Sequence, residues 1–362
     1  MSTGIYDPEN SFLRPLVETL RRHPKRVVFP EGRDLRVLRV AAELARLECV
    51  SPILLGRRRE IEAAAREAGV PMDLIGVVQP EDSSDFQAYC ERYRRMEKIR
   101  RRFIKAPGET MSMPPYFAAM MLHYGAVDAM VGGNQSLPAA FFRALFHIIG
   151  RMPALDSAAS CTAVRLPHRP DLGKDGALIL ADCAVIPTPT FSQLAMIAVE
   201  TAKVAGALLQ DRPRVAMLSF STKGSARNLT TEKVLAATHL ARHLALQERV
   251  AMDVDGELQL DAALIPGAAA RKAPMSFVAG RANVLIFPDL NASNIACKLL
   301  EQIGGAESCG HMILGLKRPA AHVSRVANEA TLFGAAVCAA YRSIGYRELI
   351  QSENWEDGAA GV

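Results

Sequence analysis

The 362-residue sequence is poor in aromatic residues, 6% by composition with a single tryptophan, Trp355. A large core must therefore be built from Ala, Val, Leu, Ile and Met. Charge is not lopsided either: 43 Lys and Arg against 38 Asp and Glu leave a formal +5, too mild to indicate a nucleic-acid binder. Cysteines are few and scattered, at Cys49, Cys90, Cys161, Cys183, Cys297, Cys309 and Cys338. An odd number without metal-ligand spacing argues against a disulfide framework or a metal site and for reduced thiols in the cytoplasm. Residues Met1 to Asn10 are polar and no run is long and apolar enough for a span, so neither a signal peptide nor a membrane is expected. Also missing are a G-x-S-x-G elbow, an H-E-x-x-H pair and a GxGxxG opening the first helix.

What is present is an alternation of buried-strand and helix patterns in a chain long enough for two domains sharing a cleft. Strands are expected at Arg26–Pro30, Ser51–Gly56, Val127–Gly133, Ala177–Ala181, Val215–Ser219 and Asn283–Pro288. Helices are expected at Leu35–Leu47, Arg58–Ala68, Ala139–Ile149, Thr190–Leu209, Glu232–Leu246, Ala292–Ile303 and Thr331–Tyr341. Strands alternating with helices throughout imply an α/β fold with a mainly parallel sheet covered on both faces.

Ligands of such sheets sit where strand ends feed helix N-termini, which singles out three loops. Ser219–Ala226 offers Ser221, Thr222, Lys223, Gly224 and Ser225, a possible anion cradle or an ordinary polar turn. Its spacing is not that of a P-loop, so ATP is not implied. In Met130–Ser136, Gly133 and Asn134 would let a ligand approach the backbone, and Arg143 lies about two turns into the next helix. The alternative is a tight strand–helix junction with a surface arginine. In the third loop Ser324 and Arg325 could hold a phosphoryl or acyl oxygen with paired donors, although such dipeptides are common. The basic stretch Arg92–Lys105 reads as a solvated helix face or as contacts for a polyphosphate. His123, His147, His168, His239 and His243 read as structural or surface residues. Asp182 and Cys183 follow a strand, and a buried cysteine is usually inert packing.

Taken with the segments between them, these loops resemble the phosphate acetyltransferase family and its butyryl relatives. The resemblance runs through Phe29-Pro-Glu-Gly32, Ala181–Thr190, Val215–Ser225, Asp255–Ala262, Lys272-Ala-Pro274, Val278-Ala-Gly280 and Ala282–Asn291. It implies two α/β/α domains of the isocitrate/isopropylmalate dehydrogenase type, 1–155 plus 311–362 and an inserted 156–310, with a cleft between them. It also implies a cytoplasmic homodimer in which the coenzyme A thiolate attacks acetyl phosphate directly. Acetyl phosphate, phosphate and coenzyme A are substrates; no metal, bound cofactor, nucleic acid or membrane is implied.

The resemblance assigns Ser324 and Arg325 to the acyl phosphate and Arg143 to phosphate and cofactor binding. A further family arginine falls at Arg101 or Arg102, and Ser221 to Ser225 lines the same cleft. This sequence departs from the family at the site. Val326 follows Ser-Arg in place of glycine, and Thr331 stands seven positions past Ser324 where the family has an aspartate proposed as the thiol base. Glu329 is a nearby substitute. The turn Gly132–Leu137 lacks the family's histidine and hydroxyls, and the family's Lys-Gly-Met-Thr run before Tyr116 is absent. Three outcomes are therefore expected to compete: an active acetyltransferase, an acyl-coenzyme A-binding protein without turnover, and an enzyme for longer acyl chains.

Overall fold

The computed structural model describes residues 4–99, 106–152 and 157–352. Among the described residues, twelve strands form one sheet. From one edge, Gly76–Val78, Val50–Leu55, Lys25–Phe29, Ala129–Gly132 and Ala320–His322 are neighbours and all parallel. His311–Leu314, Ala159–Arg165 and Ala177–Ala181 follow, each antiparallel to the strand before it. Val284–Ile286, Arg214–Leu218 and Asp253–Leu258 then run parallel to Ala177–Ala181. Glu307–Ser308 pairs off this path with Ala159–Arg165.

The parallel strands are covered on both faces, and their sequences show why. Ala129-Met-Val-Gly132 and Ala177-Leu-Ile-Leu-Ala181 are apolar at every position and fully buried, the pattern of a strand between two helix layers. The expected strands and helices form within about three residues of their predicted limits, as is usual for fraying ends; the exception is the last helix, which runs on to Ser352. Side-chain caps fix several starts: Asp34 accepts from Arg36 N, Asp289 from Ala292 N, and Thr190 and Asn228 each form a capping box.

The antiparallel centre corrects the expectation of strand–helix alternation throughout. Ala159–Arg165 returns as Ala177–Ala181 through the 166–176 turn, without a crossover helix. Antiparallel strands need none, so no helical period marks the pair. A second correction concerns the apolar helix Phe191–Leu209, which is long and apolar enough to cross a membrane by length and composition. Here Leu194, Ile197, Ala198, Ala202 and Ala205 are buried in the core, and Lys203 pairs with Glu200 and Glu248.

The core is aliphatic as its composition requires. One helix, Glu329–Ser352, runs through it: Leu332, Phe333, Ala335, Ala336, Val337, Cys338, Ala339 and Ala340 are all buried. A helix apolar all round must be enclosed on all sides, and this one packs against Leu13–Arg22, Leu35–Arg46 and Ala129–Gly132. Asn328 Oδ1 accepts from Thr331 N at 2.8 Å at its start, which anchors the segment carrying Ser324.

Candidate active site

Three neighbouring parallel strands, Lys25–Phe29, Ala129–Gly132 and Ala320–His322, deliver Glu31, Gly133 and Ser324 to one edge of the sheet. The Glu31 carboxylate accepts backbone N–H groups of Gly133 at 2.9 Å and Ser136 at 3.0 Å. Donors that could have faced an anion are thereby satisfied inside the protein. Gly133 sits at φ +102°, and a Cβ there would lie 2.4 Å from His322 Cδ2 and 3.0 Å from Val323 O. Gly133→Ala is expected to lower stability by about 2 kcal/mol through strain and overpacking, read as a reduced denaturant midpoint.

Arg36 clamps the turn to the Ser324 loop. Its guanidinium donates to Arg325 O at 2.9 Å, Ala327 O at 2.7 Å and Asn134 O at 3.1 Å, and pairs with Asp34 at 2.6 Å. Asn134 Nδ2 donates to the same carboxylate at 2.8 Å. One turn further along that helix, Arg39 pairs with Glu329 at 2.8 Å. Two arginines of Leu35–Arg46 thus hold the Arg325–Glu329 segment at both ends.

The clamp leaves the Arg325 side chain exposed and without a hydrogen bond or ion pair to a described residue. Ser324 is half-buried, its Oγ 3.4 Å from Val326 N. Arg143 is likewise exposed, on helix Pro138–Ile148. That helix reaches the same strand end: the Phe142 ring lies 4.9 Å from the His322 ring. Ser324, Arg325, Gly133, Asn134 and the helix bearing Arg143 are therefore neighbours. Ser324 and Thr331 line one cavity of about 240 Å³. Arg101 and Arg102 lie outside the described residues.

The Ser221–Ser225 loop belongs to a separate network. Lys223 pairs with Asp255, Gly224 N donates to Glu257 at 2.6 Å, and Ser221 Oγ donates to Glu257 at 3.1 Å. Its cation and one of its backbone donors are occupied by the protein's own carboxylates, and among the described residues no hydrogen bond joins it to the Ser324 loop. Asp182 has an architectural part: it accepts from the backbone of Ser160, Ala184, Val185 and Ile186. Cys183 lies 3.5 Å from Cys297 and is fully buried, with its thiol pKa pushed up first by that hydrogen bond and then by burial, which makes it inert.

Burial alone would raise the pKa of Asp34 and Asp255. Hydrogen bonds from Arg36 and Asn134 outweigh it at Asp34, and those from Lys223 and Ser276 do so at Asp255, so both are held below the ordinary 3.8. A depressed folded-state pKa gives stability that is present above the unfolded value and lost as pH falls through the folded one. The urea midpoint should therefore drop on going from about pH 4 to pH 2, with a shallower drop in Asp34→Asn.

Sequence reasoning missed Glu31, Asp34 and Arg36, although Phe29-Pro-Glu-Gly32 was noted as a block. It also passed over His311, whose ring stacks at 6.3 Å on that of His322, the first residue of the Ser324 loop. A polar cluster in the first strand-to-helix loop was the available signal.

The family described as phosphate acetyl/butaryl transferase matches residues 11–340. The chain belongs to that family. It is 37% identical to the phosphate acetyltransferase of Thermoanaerobacterium thermosaccharolyticum over 315 residues, 87% of this chain and 94% of the relative. Among solved structures, the EutD phosphotransacetylase from Staphylococcus aureus superposes with a TM-score of 0.81 at 30% identity, covering 91% of this chain and 99% of that one. A phosphotransacetylase from Streptococcus pyogenes gives 0.81 at 32% identity, covering 91% and 98%. These family members share the mostly parallel α/β architecture described above.

Proposed function

We propose that this protein is a phosphate acetyltransferase, interconverting acetyl-coenzyme A and phosphate with acetyl phosphate and coenzyme A by direct thiolate attack. The observation that carries the reading is the Arg325 guanidinium beside Ser324, uncommitted among the described residues, on a loop whose carbonyls Arg36 holds. A fixed cation and hydroxyl suit the phosphoryl oxygens and the charge that develops on the leaving phosphate. Arg143 adds a second cation from the adjacent helix. Coenzyme A enters as substrate.

The strand order supports the division into 1–155 plus 311–362 and an inserted 156–310, because the strands of the inserted segment are contiguous in the sheet. We also propose a cytoplasmic homodimer that binds neither nucleic acid nor membrane. Exposed Leu246, Met275 and Phe277 offer apolar area for a second copy. The test of the activity is thioester formation from acetyl phosphate and coenzyme A. Turnover is expected; its absence at micromolar enzyme overturns the reading.

A second reading, an acyl-coenzyme A-binding protein without turnover, draws on Glu329 being tied to Arg39 and on Thr331 at the expected base position. Tight calorimetric binding without thioester formation would favour it. Acyl groups longer than acetyl are compatible with the 240 Å³ cavity, so propionyl and butyryl phosphates belong in the same assay.

A further inference from the structure

The cavity that holds Ser324 and Thr331 is also lined by His311. His311 opens a strand antiparallel to Ala320–His322 and lies opposite His322 in the ladder, two residues before Ser324 in the neighbouring chain segment. Its Nδ1 is sealed from solvent and has no hydrogen-bond partner among the described residues, so only Nε2 can meet a ligand in the cavity. Buried polar atoms are nearly always satisfied, and an exception calls for a function or an unseen partner.

Three carboxylates around this cavity are committed elsewhere, while a fourth, Asp7 in the N-terminal segment, is exposed and accepts the Glu9 N–H at 2.9 Å. Glu329 is held by Arg39 at 2.8 Å, Glu301 by Lys298 at 2.6 Å and Glu307 by Arg165 at 3.1 Å. Thiol attack still needs a group to take the S–H proton, and Thr331 has no usable lone pair of the required basicity.

We propose that His311 is the general base that takes the proton from the incoming thiol. The inference rests on the acyl-transfer reading above. The S–H bond breaks as an N–H bond forms on the imidazole, and the sulfur pair forms the new S–C bond. The acyl C–O bond breaks with its electron pair going to phosphate, which takes the proton back and returns His311 to its neutral form.

The charged and titratable groups that line the cavity with His311 are Tyr6 and Asp7 from the N-terminal segment, Arg165, Lys298 and Glu301 on helix Leu290–Gln302, Glu307 and Cys309, and His322 stacks on it from the adjacent strand. Burial first, and the Lys298 charge second, push the imidazole pKa down to about 4. His311 is therefore unprotonated from about pH 5 upward.

The experiment is a pH–rate profile of thioester formation from about pH 5.5 to 9, limiting in coenzyme A, for the wild type and His311→Gln. The wild type should be nearly flat. The variant should lose roughly a hundredfold near pH 6 and recover to within about tenfold near pH 9, where a free thiol of pKa about 8.5 ionises unaided. In His311→Ala, added imidazole should restore rate at the acidic end. An equal fractional loss at every pH, or no loss, overturns the proposal while leaving the acyl-transfer reading intact. Should neither variant fold, a wild-type rate that rises tenfold per pH unit from about 6 to 8 overturns it alone. A wild type that forms no thioester at any pH overturns both.

Discussion

Arg325→Ala is expected to slow thioester formation by roughly two to three orders of magnitude. The side chain has no partner among the described residues, so its removal leaves no buried charge and should barely change stability. Loss would fall on the transition state, where negative charge accumulates on the departing phosphate. Arg325→Lys keeps the charge but not the planar fork, and should recover only part of the rate. Steady-state kinetics with acetyl phosphate check this, and a variant within threefold of wild type would show that Arg325 is not at the site.

Arg36→Ala should act in the opposite way, first on stability. The substitution strands the Asp34 carboxylate, 6% exposed, and releases the carbonyls of Asn134, Arg325 and Ala327. Leaving a buried charge unpaired is among the costlier single changes, and a loss of about 3 kcal/mol is expected. Activity should fall as well, because the Ser324 loop loses its tether. Urea denaturation measures the first effect; an unchanged midpoint would mean that the clamp is not formed in solution. Arg36→Lys should restore part of the stability, and less of the rate.

The fold was legible where local pattern and tertiary position agree. Ala177–Ala181 and Leu35–Arg46 carry their burial in their composition, and sequence reading placed both within one residue. The antiparallel centre was not legible, because His311–Leu314 and Ala320–His322 are four and three residues long and the first also pairs with Ala159–Arg165, about 150 residues away. At the site, Ser324, Arg325 and Arg143 are named by the family resemblance, since on pattern alone a Ser-Arg dipeptide and a helix arginine are unremarkable. Arg36 could not be named, since its three carbonyl partners lie at positions 134, 325 and 327 and leave no spacing to recognise. In the Ser221–Ser225 loop, hydroxyls, a lysine and a glycine read equally as an anion cradle or an ordinary polar turn, and Asp255 and Glu257 occupy its Lys223 and Gly224 donors.

The account depends on where the phosphoryl group binds. A crystal structure with coenzyme A and acetyl phosphate, or a non-reacting analogue of it, tests this most directly. Phosphoryl oxygens within hydrogen-bonding distance of Ser324 Oγ and the Arg325 guanidinium are predicted. A phosphoryl group seated on the Ser221–Ser225 loop, with Arg325 still turned to solvent, would contradict it.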